Sequence, residues 1–223
     1  MSAGTRSRSV GPAPVEVFDR ALRGERCEVL WPDGRSWALP TPRWAALPDP
    51  TDHALFLAVC EGPTLDVGCG PGRLAGALAA RGIAALGIDV SAEAVRQARR
   101  RGAVALQRDV FDDLPGSGRW HYLLLADGNV GIGGDPVSLL SRVRDLVCHL
   151  GRVLVEVAPP GNGLRTDLVQ LRLGRRVSRP FAWATVSADV VGSIARASGL
   201  ELVGVDSRDR RWVATLRRTA GAR

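Results

Sequence analysis

The chain has 223 residues, 45% hydrophobic and 24% charged, with a formal net charge of +7. That balance excludes a disordered chain and suits one domain with a substantial core, and the lack of any run of about eighteen apolar residues excludes a membrane-spanning helix. All 30 basic residues are arginine, and the excess is local: residues 161–223 hold 12 arginines against 5 acids, whereas 1–160 are balanced. A basic end suits an anionic partner such as nucleic acid. No aromatics interleave these arginines as a strand-binding groove requires, so coding bias and a solvated face is the plainer reading.

Residues 1–14, MSAGTRSRSVGPAP, lack the apolar stretch of a secretory signal. They read as a disordered tail, with an organelle-targeting segment as the alternative, and a cytoplasmic protein is expected. VEVFDRALRG forms a short helix, and CEVLWPDGRSWALP a hairpin whose turn is Pro32-Asp33-Gly34. TPRWAALPDP is a proline-punctuated connector, and TDHALFLAVCEG a helix stopped by Gly62 and Pro63. Residues 15–62 thus make an N-terminal helix and hairpin appendage, a candidate lid.

From residue 63 strands and helices alternate. PTLDVG, AALGIDV, AVALQRD, HYLLLAD and GRVLVEVA are strands. Between them come the helices GRLAGALAARG and SAEAVRQARRRG, the second capped by Ser91 and closed at Gly102. DPVSLLSRVRDLVCHLG is a helix from Asp135 with Leu139, Leu140, Val143, Leu146, Val147 and Leu150 on one face. In 159–186, an insertion, Leu171, Leu173 and Val177 flank Gly174 like an extra hairpin. Ser187 caps the helix ADVVGSIARAS; LELVGVDS and RWVATLRR follow, too close together for a parallel crossover, and form an antiparallel hairpin. Near-continuous apolar strands suit a parallel sheet covered on both faces. The pattern predicts a doubly wound α/β three-layer sandwich over 63–223.

Cys27, Cys60, Cys69 and Cys148 make no C-x-x-C pair, and His53, His121 and His149 no cluster. Neither a disulfide framework nor a metal site is expected.

The stretch TLDVGCGPGRL places a glycine-rich turn directly after a strand. Gly68, Gly70 and Gly72 are spaced G-x-G-x-G, not the G-x-G-x-x-G of dehydrogenases, and Pro71 removes an N–H that a pyrophosphate needs. A P-loop is excluded by the absence of lysine. The triplet alone is equally a structural turn. Asp89, ending the second strand about twenty residues on, can reach both hydroxyls of a ribose. Asp109-Val110 ends the third strand and Asp127-Gly128-Asn129 the fourth, so four successive strand ends offer polar or glycine features at one edge.

In this order and spacing, LDVGCGPGRL, GIDVS, RDVFDDLP and LLLADGN resemble the class I S-adenosylmethionine-dependent methyltransferases over about 63–158. The resemblance implies a seven-stranded, mostly parallel sheet with an antiparallel last strand, and S-adenosyl-L-methionine as cofactor. It implies that Gly68, Gly70 and Gly72 approach the cofactor and that Asp66 holds its methionine end. Asp89 would bind the ribose hydroxyls, Asp109 and Val110 the adenine, with Cys69 and Val90 completing the cofactor set. Asp127–Asn129 would border the sulfonium methyl and the acceptor.

The sulfonium methyl is already activated, so alignment is the main task, and a base is needed only where the acceptor keeps its proton. Asp127 and Asn129 are the acceptor-side catalytic candidates. The glycines of DGNVGIGGDP either let a ligand approach the backbone or give a long loop its freedom. The chain lacks the N-P-P-[YF] pattern of base and glutamine methylation and the paired cysteines of pyrimidine-carbon methylation, so a small-molecule acceptor is expected, not nucleic acid. In this family acceptor specificity lies in insertions, here 15–62 and 159–186. Trp44, Asn129 and Trp183 are the substrate-contact candidates, against core or lid packing for each tryptophan. Arg165, Arg172 and Arg175 alternatively recognise a carboxylate or phosphate. Two rivals stand: an RNA methyltransferase using the basic C-terminal region, and a non-catalytic cofactor-binding partner protein.

Overall fold

A computed structural model describes residues 11–219; the expected tail lies outside the described residues up to residue 10. In chain order the elements are α1 (Pro14–Leu22), β1 (Cys27–Leu30), β2 (Ser36–Ala38), α2 (Thr41–Ala45) and α3 (Pro50–Asp52). Helix α3 runs into a π-helical turn, His53–Leu57. Then come β3 (Thr64–Val67), α4 (Arg73–Ala80), β4 (Ala85–Asp89), α5 (Ala92–Arg100), β5 (Val104–Gln107) and β6 (Trp120–Leu125). After a 3-10 turn, Asn129–Gly131, follow α6 (Pro136–Leu146), β7 (Val147–Val157), β8 (Leu164–Leu173), β9 (Arg176–Val177) and β10 (Phe181–Val186). The described chain closes with α7 (Val191–Ala197), β11 (Leu200–Arg208) and β12 (Arg211–Arg218).

The main sheet has seven strands in the order β11-β12-β7-β6-β3-β4-β5. Pairs among β7, β6, β3, β4 and β5 are parallel, whereas β12 runs antiparallel to both neighbours. The hairpin linking β11 to β12 turns on Asp209 and Arg210, both at positive φ (49° and 64°), the twist that suits a two-residue hairpin turn.

Alternate residues of the central strands serve opposite layers, as expected where both faces are covered. Leu65, Val67, Leu123 and Leu125 pack with α6 and α7. Leu124 and Leu154 pack with α4 and the π-helical turn through Leu74, Leu78, Phe56 and Leu57. Small residues let α5 sit close against α4: Ala75, Val95, Ala98 and Ala105 form one cluster.

A second sheet, in the order β10-β8-β1-β2 with β9 paired to β8, joins the appendage to the insertion. Its β1–β2 hairpin is the expected one, but β1 also pairs with β8, Val29 opposite Leu171. Helix α1 covers one face through Val17 and Ala21 against Cys27, Leu171 and Leu173. The sheet is fixed to the core where Ile132 bridges Trp183 and the Thr166 hydroxyl donates to Gly134 O at 2.9 Å.

Four local expectations are corrected. The helix from Asp135 ends at Leu146, not at residue 151: Val147 turns extended and pairs with Trp120, leaving Leu150 80% exposed. Ser187 does not cap a helix; its hydroxyl bonds Asp189, and α7 starts at Val191 without a side-chain cap. The connector TPRWAALPDP contains α2, started by Pro42 in its first turn. TDHALFLAVCEG continues a short turn opened by an Asp49–Asp52 capping box and then runs as a π turn, not a regular helix. The Ser91 cap is as expected, accepting from Ala94 N. No described helix is long and apolar enough to cross a membrane.

Candidate functional site

The carboxyl ends of β3, β4, β5 and β6 meet at one rim. Gly68, Gly70 and Gly72 all take positive φ (68°, 52° and 81°), which explains the glycine at each. They face different ways. A Cβ at Gly70 meets open space, one at Gly68 meets the Asn129 amide, and one at Gly72 lies 2.8 Å from Ala98 Cα. Gly72 therefore lets α4 and α5 approach, and Gly72→Ala is expected to cost about 2–4 kcal/mol in urea unfolding.

Asp89 is 8% exposed and ties the rim together. Its carboxylate accepts from Gly70 N at 2.9 Å and Ser91 N at 2.8 Å, and its carbonyl from Arg108 N at 3.0 Å. Burial pushes its carboxyl up, and the Ser91 and Gly70 N–H groups oppose this. Asp109 begins an exposed turn, accepting from Phe111 N, while Val110 points into the core and Val90 is half exposed. Cys69 is buried against Gly87, its thiol pushed well above the ordinary value by burial. Asp66 is 2% exposed beneath the turn and accepts from Ala75 N at 3.3 Å. Burial raises it to about 7, although the Arg73 charge and that N–H pull the other way.

Asp127, at the end of β6, holds a left-handed backbone (φ 53°) that a non-glycine residue adopts at a cost. A buried ring of charge holds it there. Its N–H donates to Glu156 at 2.8 Å and its Oδ2 pairs with Arg73, whose guanidinium also pairs with Asp52. Arg211 of β12 closes the ring, meeting Asp52 at 2.7 Å and Glu156 at 2.8 Å. Arg43 of α2 approaches Asp127 Oδ1 at 3.3 Å. Burial raises the Asp127 carboxyl, with the Arg73 charge opposing. In Asp52 the pairing with Arg73 and Arg211 outweighs burial and lowers it. Asn129 donates its amide to Val67 O and Gly68 O, both at 2.9 Å, locking the 3-10 turn to the glycine turn.

Several buried polar atoms at this end have no hydrogen-bond partner: Arg43 Nη2, Trp44 Nε1, Arg73 Nε and Asp127 Oδ1. Three unmatched donors suit a carboxylate, because a buried donor left unmade costs about 1–3 kcal/mol. Trp44 meets Phe18 of α1 in a tilted ring pair with centroids 5.7 Å apart. Trp183 lies against Gly131, where a Cβ would stand 2.7 Å from its Nε1. Gly68, Gly70, Asp89, Asp127 and Asn129 thus share the rim, whereas Val110, Cys69 and Gly72 face packed interior, and Trp44 and Trp183 lie on the two segments that flank it.

The sequence reading missed Arg43, Arg73, Asp52, Glu156 and Arg211. Only Arg73 carried a local signal, an arginine opening the otherwise apolar helix RLAGALAA. His121 and His149 lie at the opposite strand ends, and no group of metal-ligating side chains occurs among the described residues.

Residues 64–151 match the family described as methyltransferase domain. Among solved structures, the chain is similar to a SAM-dependent methyltransferase from Bacteroides fragilis in complex with S-adenosyl-L-homocysteine, at 19% identity, 93% coverage of each chain and TM-score 0.75. It is similar to the CcbJ methyltransferase from Streptomyces caelestis, at 18% identity, covering 79% of this chain and 92% of that one, TM-score 0.60. A third is the 1,6-didemethyltoxoflavin-N1-methyltransferase of Burkholderia thailandensis, at 20% identity, 77% of each chain and TM-score 0.55. No curated protein sequence matches. At these identities the structural likeness concerns the fold.

Proposed function

From a class I S-adenosylmethionine-dependent methyltransferase fold with a methyltransferase domain over residues 64–151, we propose that this chain methylates a small-molecule acceptor. The shared rim carries the reading: Asp89 is bonded to Gly70 at one end of it, and unmatched buried donors occur on Arg43, Trp44 and Arg73. Each Asp89 oxygen accepts one backbone N–H and keeps a lone pair for a ribose hydroxyl. Arg43, Trp44 and Arg73 would receive the amino-acid carboxylate. Bound there, S-adenosylmethionine supplies an electrophilic methyl. The protein then aligns the acceptor, and alignment removes about 7–11 kcal/mol of a bimolecular barrier. Asp127 takes the acceptor's proton where one must leave, and Asn129 fixes the turn that carries it.

The acceptor side belongs to residues 15–62 and 159–186, with Trp44 and Trp183 as contacts. A small molecule is favoured over RNA because part of the basic C-terminal region is already paired with carboxylates. Arg165, Arg172, Arg211 and Arg217 each face a carboxylate. Two proteins of similar fold, the 1,6-didemethyltoxoflavin-N1-methyltransferase and the glycopeptide N-methyltransferase MtfA, lend support.

Calorimetry with S-adenosylhomocysteine tests the cofactor site. Asp89→Ala is expected to weaken binding by about 1–3 kcal/mol, the value of charge-assisted hydrogen bonds; unchanged affinity refutes the assignment. Incubation with methyl-labelled cofactor and a fractionated extract tests the acceptor. Label in the low-molecular-mass fraction is expected, and label in RNA overturns the small-molecule reading.

A further inference from the structure

We propose that a groove between α5 and the edge strand β5, beside the β5 end of the methyl-transfer rim, binds a small phosphate-bearing anion. The groove measures about 710 Å3, within the range of about 300–1,000 Å3 for small-molecule sites. Val95, Leu106 and Ala92 give it an apolar floor, and its rim is arginine.

The charge there is unbalanced. Arg96 is held by Glu93. The other three guanidiniums meet no carboxylate: Arg99 donates only to Ala105 O, Arg108 only to Gln107 O, and Arg100 has no partner among the described residues. Asp109, next along the chain, accepts from Phe111 N in its own turn. Three planar donor forks around one concavity match the geometry of phosphate oxygens.

Other occupants fit less well. A second copy of this edge would bring like charges together. No aromatic ring lines the groove, so single-stranded nucleic acid finds no stacking platform. An organic phosphate uses both features, its apolar body on Val95 and Leu106 and its oxygens on the arginines.

The test is calorimetry on the full chain at low salt with inorganic triphosphate and uridine triphosphate, whose base is not adenine. Both are expected to bind, the nucleotide more tightly because of the apolar floor, with affinity falling as salt rises. Arg99→Ala/Arg100→Ala is expected to weaken both by about tenfold, and S-adenosylhomocysteine binding to stay within about twofold, which also reports that the variant is folded. Arg99→Lys, keeping the charge and losing the fork, is expected to weaken binding less. No binding at millimolar ligand, binding that ignores the double variant, or a twelve-nucleotide RNA binding more tightly than uridine triphosphate with the same arginine dependence each overturn the proposal. Because S-adenosylhomocysteine binding is read separately, failure here leaves the methyltransferase reading intact.

Discussion

Arg73→Met is expected to destabilise the fold by about 3–5 kcal/mol, the cost of removing one partner from a buried ion pair. Arg73 is 4% exposed and meets Asp52 at 1% exposure as well as Asp127. The methionine fills most of the volume, so the loss reports charge and not a cavity. The two carboxylates left behind are relieved by protonation, and the deficit should therefore shrink as pH falls from 7.5 to 4. Urea unfolding at both values measures it. A loss below about 1 kcal/mol, or one independent of pH, contradicts a buried pair.

Asp66→Asn is expected to act in the opposite direction. The folded carboxyl titrates at about 7, whereas an unfolded aspartate titrates near about 3.9. Between these values the folded chain holds a proton that the unfolded chain has released. This residue thus favours folding most at low pH and progressively less as pH rises through about 7, after which the ionised form carries a penalty of up to about 4 kcal/mol. An asparagine keeps an acceptor for Ala75 N but buries an amide that needs partners, at about 1–3 kcal/mol. The net expectation at pH 8.5 is a gain of about 2 kcal/mol that turns into a loss of about 2 kcal/mol by pH 4, where only the amide's cost remains. A variant less stable than the parent at pH 8.5 would falsify the placement of Asp66 as a buried, unwillingly charged group.

The main sheet was legible because each strand and helix carries its own signal: apolar runs at 64–67, 85–89 and 121–125, capped or glycine-closed helices between, and a gap at 208–210 too short for a crossover. The rim was legible for the same reason, since strand ends are local. Where a local signal misled, the period was ambiguous. Val147 and Leu150 continue the spacing of α6, yet pairing with β6 and β12 draws residues 147–157 into one long strand. The charge ring was not legible, because Asp52, Arg73, Glu156 and Arg211 are scattered over the chain and only the closed fold makes them neighbours. The second sheet was missed likewise: β1 reads as half of a self-contained hairpin, and nothing near Val29 announces Leu171.

That non-local pairing limits how the proposed acceptor side can be rebuilt. Strands from residues 27–38 and 164–186 share one ladder and one apolar cluster beneath α1. Neither segment is an independent cassette. A graft from another protein of this fold that replaces only the later insertion leaves β1 without a matched edge, and removal of the residues before 40 bares Leu171 and Leu173. Changes of acceptor preference are therefore expected to arrive in pairs, one on each side of a domain that itself stays fixed.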